Sequence, residues 1–334
     1  METEIKTYNM VNVLRLLLAY LVVALHAVAF ASFGDSVCNF MNNFLFRIAV
    51  PFFFITSGYF LYFKSAVKGY FKKYITKLTL IFLIITIIDS LVMVPLWYSD
   101  YATMNTGLLI KEFLINGVHG SLWYFPALII SSTFVYVFIK KDAVKLLSII
   151  SIPLLIIGLM GDSYYGLIQN TPFLSLINIY EYFFNTTRNG ITFAVPFLTL
   201  GVLINKYKIH KKLKFPKLLL ILSFILYGIE YYIIVHTGIA KDYNIYFSLI
   251  FVDSLIFITA LNSNISLKKS ISNYLREMSL WIYGFHGLII LLGYITCIFK
   301  EDTSSMTVYI LVCLVTTIIA WIISFFRFKF KYKK

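Results

Sequence analysis

The chain has 334 residues, of which 60% are hydrophobic and only 13% are charged. Its mean hydropathy of +0.84 excludes an ordinary soluble enzyme and indicates a polytopic membrane protein. The net charge of +14 does not indicate a nucleic-acid partner, because the basic residues form short clusters between apolar segments, the pattern that encodes orientation in a membrane.

Ten apolar segments are long enough to cross about 30 Å of hydrocarbon. In chain order they lie near residues 9–31, 44–63, 75–97, 121–139, 143–160, 189–205, 217–236, 244–262, 279–299 and 307–326. We therefore predict an all-α fold of ten transmembrane helices in a single membrane-embedded domain over residues 1–334, with no separate soluble domain. Most lysines and arginines flank alternate loops, so the positive-inside rule places both termini in the cytoplasm. The first apolar run lacks a small-residue cleavage site, and we expect it to remain in the mature protein.

The first predicted helix, NVLRLLLAYLVVALHA over residues 12–27, carries Arg15 and His26. Their spacing places them about 20° apart around the helix and about 16 Å apart along it. An ionisable group inside a membrane costs about 2.5–3.5 kcal/mol on insertion scales, so it usually faces the protein interior and is a functional candidate. Arg15 alone can instead extend to the lipid headgroups, and His26 alone can bond to another helix. Their shared face favours a common cleft.

The second predicted helix, FRIAVPFFFITSGYFLYF over residues 46–63, contains Arg47, Ser57 and Gly58. The small Ser57-Gly58 pair permits a close approach, either by a neighbouring helix or by a ligand. The segment FKKYITK at residues 71–77 follows as a basic patch on the cytoplasmic side.

Three later candidates each have a structural alternative. Trp123 in HGSLWYFPAL is typical of an interfacial anchor. Arg188 in TTRNGITFAVPF can bind an anionic lipid or substrate group, or remain solvated. His286 in WIYGFHGLIILL either lines a cavity or is a buried histidine with satisfied hydrogen bonds.

Other polar side chains rank below these. Asp89, Glu230 and Asp253 are carboxylates at membrane depth, where proton-coupled transporters place such groups. The three cysteines are too few and too scattered for a disulfide framework or a zinc site, and we expect no metal.

Five segments together resemble the integral membrane acyltransferases of acyltransferase family 3: the Arg15-x10-His26 spacing, PFFFITSGYFL (51–61), FKKYITK (71–77), GSLWYF (120–125) and IYGFHGLI (282–289). The resemblance covers nearly the whole chain. It implies a multi-pass protein of the bacterial cytoplasmic membrane that moves an acyl group, usually acetyl, from cytoplasmic acyl-CoA to a hydroxyl of an extracytoplasmic or lipid-linked glycan. The chain departs from the family where lysines replace a usually arginine-rich patch, and lysine lacks the bidentate fork for phosphate.

The resemblance also implies roles for the candidate residues. Arg15 supplies positive charge for the anionic donor, and His26 acts as the general base on the acceptor hydroxyl or carries the acyl group itself. The expected donor-binding and substrate-binding residues are Lys72, Lys73, Lys77, Arg47, Ser57, Trp123, Arg188 and His286. We expect acetyl-CoA as the donor, with membrane lipid and a hydroxyl-bearing acceptor as partners, and the sequence does not indicate an oligomeric state.

An alternative function belongs to another class. The compact chain is also similar to the membrane half of the serine racemases of glycopeptide-resistance systems, for which a transport role has been inferred. A transporter or flippase of a small amino acid or a lipid-linked sugar would use Asp89, Glu230 and Asp253 for coupling. A structural scaffold is the third interpretation, in which Arg15 and His26 have no chemical role.

Overall fold

The protein is described by a computed structural model that covers residues 8–101, 111, 113, 115, 117, 120–300 and 302–331. Its α-helices in this part of the chain are α1 (Asn9–His26), α2 (Asp35–Asn43), α3 (Ala49–Phe63), α4 (Tyr70–Tyr101), α5 (Tyr124–Lys140), α6 (Val144–Met160), α7 (Phe173–Phe184), α8 (Val195–Lys206), α9 (Pro216–Thr237), α10 (Leu249–Leu261), α11 (Lys269–Ile295) and α12 (Ser305–Lys331). A π-helical turn, Gly190–Ala194, leads into α8. A single helical turn, Ile209–Lys212, follows α8.

Each of the ten predicted spans overlaps one of these helices, because long apolar runs favour a conformation that satisfies its own backbone hydrogen bonds. Six helical stretches in the described residues are long and apolar enough to cross a membrane. Four predicted spans correspond to shorter apolar helices, namely α5, α6, α8 and α10. The chain is therefore a multi-pass membrane protein whose regular structure is all helical in the described residues, whereas the count of ten crossings and the cytoplasmic termini stay predictions.

The helices divide into two compact units. The first comprises Met1–Ala49 and Thr259–Lys334, and the second comprises Val50–Ile258.

In the first unit, α1 and α11 run parallel along a regular seam. Asn12 Nδ2 donates to Ser272 Oγ at 2.8 Å, and the rings of His26 and His286 lie side by side with their centroids 5.0 Å apart. Both members of the second pair lie fourteen residues beyond the first, which is two heptads, so the two helices keep one register.

Helix α12 runs antiparallel to α1 in the same unit. The hydroxyls of Tyr20 and Thr317 lie 2.7 Å apart, and the Ser32 amide donates to Ser305 Oγ at 3.1 Å. In the predicted topology α1, α11 and α12 are the first, ninth and tenth spans. The first and ninth spans must run in the same direction and the tenth in the opposite direction, and the three helices do so.

In the second unit, α3 crosses α8 at two glycines. A Cβ added at Gly58 would overlap the carbonyl oxygen of Leu198, and one added at Gly201 would overlap the carbonyl oxygen of Ile55. The close approach expected at Ser57-Gly58 is therefore made by a neighbouring helix, the first of the two interpretations of that pair.

Candidate active site

Arg15 and His26 both lie on α1, which is unbroken from Asn9 to His26. The regular helix keeps them about 20° apart around its axis and about 16 Å apart along it. Both residues are half-buried. The first unit thus presents one guanidinium and one imidazole from the same face of one helix.

The chain turns away immediately after His26. Val28 adopts a positive φ of 47°, and the Ala29 amide donates to the Ala24 carbonyl at 3.0 Å while the Val28 amide donates to Leu25 at 3.3 Å. These are the two hydrogen bonds of a Schellman motif, which usually has glycine at the left-handed position. A β-branched residue there is strained, and such strain occurs often at functional sites. His26 is consequently fixed at the last position of the helix.

His286 lies on α11 and is fully buried, with 0% of its surface exposed. Its Nδ1 is 2.6 Å from the carbonyl oxygen of Tyr283. Because a carbonyl can only accept, Nδ1 carries the proton, and a neutral ring then keeps a lone pair on Nε2. Its own helix therefore sets the tautomer of His286.

The rings of the two histidines, His26 and His286, contact each other within the first unit. Their ring planes are inclined at 45° with the centroids 5.0 Å apart. One ring is half-buried and the other fully buried. This arrangement suits a reacting imidazole supported from behind by an imidazole of fixed tautomer.

Arg47 lies in a short 3₁₀ segment, Leu45–Ile48, in the same unit. Its Nη2 donates to Asn43 Oδ1 at 3.2 Å. The neighbouring Phe46 is buried and packs against Phe30, with the ring centroids 6.0 Å apart. These contacts set the direction in which the half-buried Arg47 leaves the backbone.

The lysine patch opens α4 in the second unit. Lys72 and Lys73 are exposed, and Lys77 is half-buried one turn after Lys73. Helix α4 begins after Gly69, whose φ of 75° is readily adopted by glycine. The first turns of α4 therefore present ammonium groups to solvent, as a binding surface for a polyanion requires.

Ser57 lies on α3 and is buried. Its hydroxyl donates to the Phe53 carbonyl of its own helix at 2.8 Å. This bond is the usual way in which a serine inside a helix is satisfied. The Ser57 hydroxyl would have to leave this hydrogen bond in order to donate to a bound substrate.

Trp123 and Arg188 meet in the second unit. The guanidinium carbon of Arg188 lies 5.0 Å from the centroid of the Trp123 ring, a cation–π distance. Trp123 is 5% exposed, so it is not the interfacial anchor that its sequence position favours. Arg188 Nη1 also donates to Asn244 Oδ1 at 3.0 Å, and the guanidinium is thereby oriented on two sides.

Asp162 and Asn244 complete this group, and no sequence pattern had singled them out. Asn244 Nδ2 donates to Asp162 Oδ2 at 2.9 Å, and the Asn244 amide donates to Asp162 Oδ1 at 2.7 Å. Burial raises the pKa of the Asp162 carboxyl and the charge of Asp242 raises it further, whereas hydrogen bonds from Asn244 and Ile245 lower it. We call Trp123, Asp162, Arg188 and Asn244 the Arg188 cluster.

The three carboxylates ranked second have different environments. Glu230 accepts hydrogen bonds from the Tyr164 hydroxyl at 2.6 Å and from the amides of Phe247 and Ser248 at 2.7 and 2.8 Å. It therefore joins the loops near α10. Asp253 is fully buried and Asp89 nearly so. Among the described residues, both carboxylate oxygens of Asp253 and Oδ1 of Asp89 have no hydrogen-bond partner.

Comparison with known proteins decides the family. The family model of the acyltransferase domain, Acyl_transf_3, matches residues 8–325, nearly the whole chain. The chain belongs to acyltransferase family 3. Family membership supports acyl transfer as the general chemistry of this chain, and it agrees with the multi-pass membrane architecture.

Proteins that are similar in sequence to this family 3 chain are named as racemases and not as acyltransferases. An amino-acid racemase of Enterococcus faecalis is 31% identical over 300 residues, or 85% of this chain. A serine/alanine racemase of Enterococcus gallinarum is 31% identical over 281 residues, or 81% of this chain. The matched segments are only 41% and 39% of those proteins, so the chain spans about two-fifths of their length. No solved structure matches the chain.

Proposed function

We propose that this chain is an O-acyltransferase of the bacterial cytoplasmic membrane. It moves an acyl group, acetyl in the simplest case, from cytoplasmic acyl-CoA to a hydroxyl of an extracytoplasmic or lipid-linked glycan. One observation supports this proposal best: in a chain of family 3, half-buried His26 lies against fully buried His286 on a regular two-helix seam.

In this proposal His26 acts as the general base. It takes the proton of the acceptor hydroxyl while the hydroxyl oxygen attacks the thioester carbonyl carbon. The new C–O bond forms, the C–S bond breaks, and the CoA thiolate leaves to be protonated by the imidazolium or by solvent. Atoms and charge therefore balance without another reactant. His26 as a covalent carrier of the acyl group is the alternative route within the same reaction.

His286 is a positioning residue in this reaction. Its Nδ1 proton is committed to Tyr283, so a neutral ring keeps the Nε2 lone pair. In this proposal that lone pair accepts an N–H of His26 once His26 has become an imidazolium. A neighbouring group that favours the protonated form of a base promotes proton removal.

Arg15 would bind the donor, and the lysine patch of the second unit stays a separate candidate for donor binding that the family resemblance implies. The adenosine diphosphate part of CoA carries several negative charges, which favour guanidinium and ammonium groups. The separation of about 16 Å between Arg15 and His26 along α1 is comparable with the length of a pantetheine arm. Arg15 would therefore hold the anionic end of the donor while the thioester reaches the level of His26.

The donor step can be tested in membrane vesicles with their cytoplasmic face outward. Vesicles that contain the wild-type chain should transfer radiolabel from acetyl-CoA to a lipid-linked or glycan fraction. Arg15→Ala should raise the KM for acetyl-CoA strongly, and Arg15→Lys should restore part of the loss because it keeps the charge without the fork. Equal KM values for the three proteins would refute the role of Arg15.

A second function has one specific observation in its favour. Asp89 and Asp253 are buried carboxylates. Oδ1 of Asp89 and both carboxylate oxygens of Asp253 have no hydrogen-bond partner in the described part of the chain. Intramembrane carboxylates mark proton and ion pathways, and the names of the relatives concern amino acids. We therefore keep a transporter or flippase of a small amino acid or a lipid-linked sugar as the alternative.

The two functions differ in what they consume. Proteoliposomes that take up radiolabelled serine without release of CoA, and that lose this uptake in Asp253→Asn, would favour transport. Label transfer from acetyl-CoA that persists in Asp253→Asn would favour the acyltransferase.

A further inference from the structure

The Arg188 cluster lies at one end of the second unit. Trp123 immediately precedes α5, Asp162 follows the end of α6, Arg188 leads into the turn before α8, and Asn244 precedes α10. Four separate parts of the chain thus meet around one guanidinium. Under the predicted topology this end faces away from the cytoplasm.

The cluster fixes the orientation of the Asn244 amide. Its Nδ2 donates to Asp162 Oδ2 at 2.9 Å, so its oxygen is the atom that faces Arg188 Nη1 at 3.0 Å. Asp162 Oδ1 is held by the backbone amides of Asn244 and Ile245 at 2.7 and 3.1 Å. The Asp162 carboxylate therefore holds the side-chain amide of Asn244 in place. The oxygen of that neutral amide in turn orients the guanidinium of Arg188.

The indole below Arg188 is also held rigidly. Phe193 packs edge-on against Trp123 with the centroids 5.5 Å apart, and Phe54 lies 6.3 Å away. The buried ring presents a flat face to the guanidinium, while Arg188 itself is only half-buried. A guanidinium stacked on indole and oriented by an amide has lost most of its rotamer freedom before a ligand arrives, which lowers the entropic cost of binding.

A lysine at the same end of the unit has a different environment. Lys241 Nζ lies 2.7 Å from both carboxylate oxygens of Glu181 and 5.2 Å from the centroid of the Tyr165 ring. The charge of Lys241 is therefore balanced directly by the carboxylate of Glu181. Lys241 is a matched control for loss of a positive charge at this end of the unit.

We propose that the Arg188 cluster is an oxyanion-binding site, in which the guanidinium of Arg188 binds a carboxylate or phosphate group above the face of Trp123. The site lies wholly within the second unit. It does not depend on acyl transfer, because every contact that builds it is separate from His26 and His286. Its ligand is either a soluble oxyanion or the phosphate of an anionic lipid.

The test is a fluorescence and thermal-shift titration of the purified chain in an uncharged detergent. Sodium phosphate and sodium acetate are titrated against sodium chloride at constant ionic strength. Binding should change the emission of Trp123 saturably and raise the melting temperature. In a second arm, the chain in nanodiscs of phosphatidylcholine is compared with the chain in nanodiscs containing phosphatidylglycerol.

The variants identify the site. Arg188→Gln should weaken binding by about tenfold or more, as expected for the loss of a charge-assisted hydrogen bond, and Trp123→Phe should abolish the fluorescence signal while a weaker thermal shift remains. Lys241→Gln should bind like the wild type. If Arg188→Gln does not fold, Arg188→Lys replaces it and should also bind more weakly, because lysine lacks the planar fork.

Each outcome decides the matter. A response to phosphate or acetate identifies a soluble oxyanion, and a response only to phosphatidylglycerol identifies a lipid headgroup. No response in either arm, or an equal response in Arg188→Gln or in its substitute Arg188→Lys, overturns the site. These readouts use no acyl donor, so loss of the acyltransferase proposal would leave them unaffected.

Discussion

Replacing Gly201 by alanine tests the contact between α3 and α8 most severely. A Cβ at this position would overlap the Ile55 carbonyl oxygen and lie 2.7 Å from the Tyr59 amide nitrogen and 2.9 Å from the Ile55 carbonyl carbon. All three are backbone atoms, so no side chain can rotate away. The two helices would have to separate.

The size of the effect follows from two opposing terms. Overpacking a well-packed interior costs about 1–3 kcal/mol, and backbone contacts that cannot relax place Gly201→Ala near the upper value. Alanine in place of glycine inside a helix contributes about 1 kcal/mol in the other direction. The net loss is about 2 kcal/mol, and at about 2–4 °C per kcal/mol for a unit of this size the melting temperature should fall by about 4–8 °C.

Gly228→Ala on α9 is the matched control for this prediction. Within the described residues, nothing lies within 4 Å of a Cβ built at Gly228, so only the helix term applies and the melting temperature should stay level or rise. Both variants can be measured by intrinsic fluorescence during heating in detergent. A Gly201→Ala protein that melts at or above the temperature of Gly228→Ala would refute the close crossing, and with it the assignment of Ser57-Gly58 to helix packing.

Three further predictions concern the candidate sites. His286→Asn keeps a donor for the Tyr283 carbonyl but loses the imidazole beside His26. The rate of acyl transfer should therefore fall by about 100-fold while the melting temperature changes little. An unchanged rate of acyl transfer would contradict the positioning role of His286. Burial raises the pKa of the Asp162 carboxyl, so the folded state binds a proton at this carboxyl more tightly than the unfolded chain does. The free energy of unfolding that Asp162 contributes therefore falls as pH rises through the folded-state pKa. The melting temperature of the wild type relative to Asp162→Asn should therefore decline from pH 4 upward, and a constant or rising difference contradicts this sign. Replacing Lys72 and Lys73 together by glutamine should raise the KM for acetyl-CoA with little change in kcat, as expected when uniform binding is lost, and a change in kcat alone would argue against donor binding.

Hydropathy predicted the positions of the helices along the chain better than it predicted the contacts between them. Every predicted span overlaps a helix, because the burial of an apolar backbone in lipid leaves few alternatives. Helix α7 was not predicted, since its twelve residues lie between two of the predicted spans. Short helices of this kind are stabilised by tertiary packing, which no local pattern records.

The pairing of His26 with His286 was not predicted either, although a signal was present. Ser272, Ser279 and His286 recur at heptad spacing on α11, and Asn12 and His26 are two heptads apart on α1. Two polar seams with the same period are typical of helices that pack in register. Hydropathy treats each such residue only as a local interruption and therefore loses this information.

The Arg188 cluster shows what the sequence could not supply. Arg188 was a candidate because a guanidinium at the membrane interface can bind an anionic lipid or substrate group. Its acceptor Asn244 is 56 residues away, and Asn244 is 82 residues from Asp162. A single polar residue in a loop gives no indication of such partners, and only the fold brings them together.

The most direct test of the acyltransferase proposal is a comparison of His26→Ala with His236→Ala. His236 lies on α9, is exposed and stacks on Tyr232, so its loss removes an imidazole without touching the candidate site. Transfer of radiolabelled acetyl from acetyl-CoA to the acceptor fraction should match the wild type in His236→Ala and fall by about 10²- to 10⁴-fold in His26→Ala. Equal transfer by the two variants, at equal amounts of folded protein, would contradict the central role of His26.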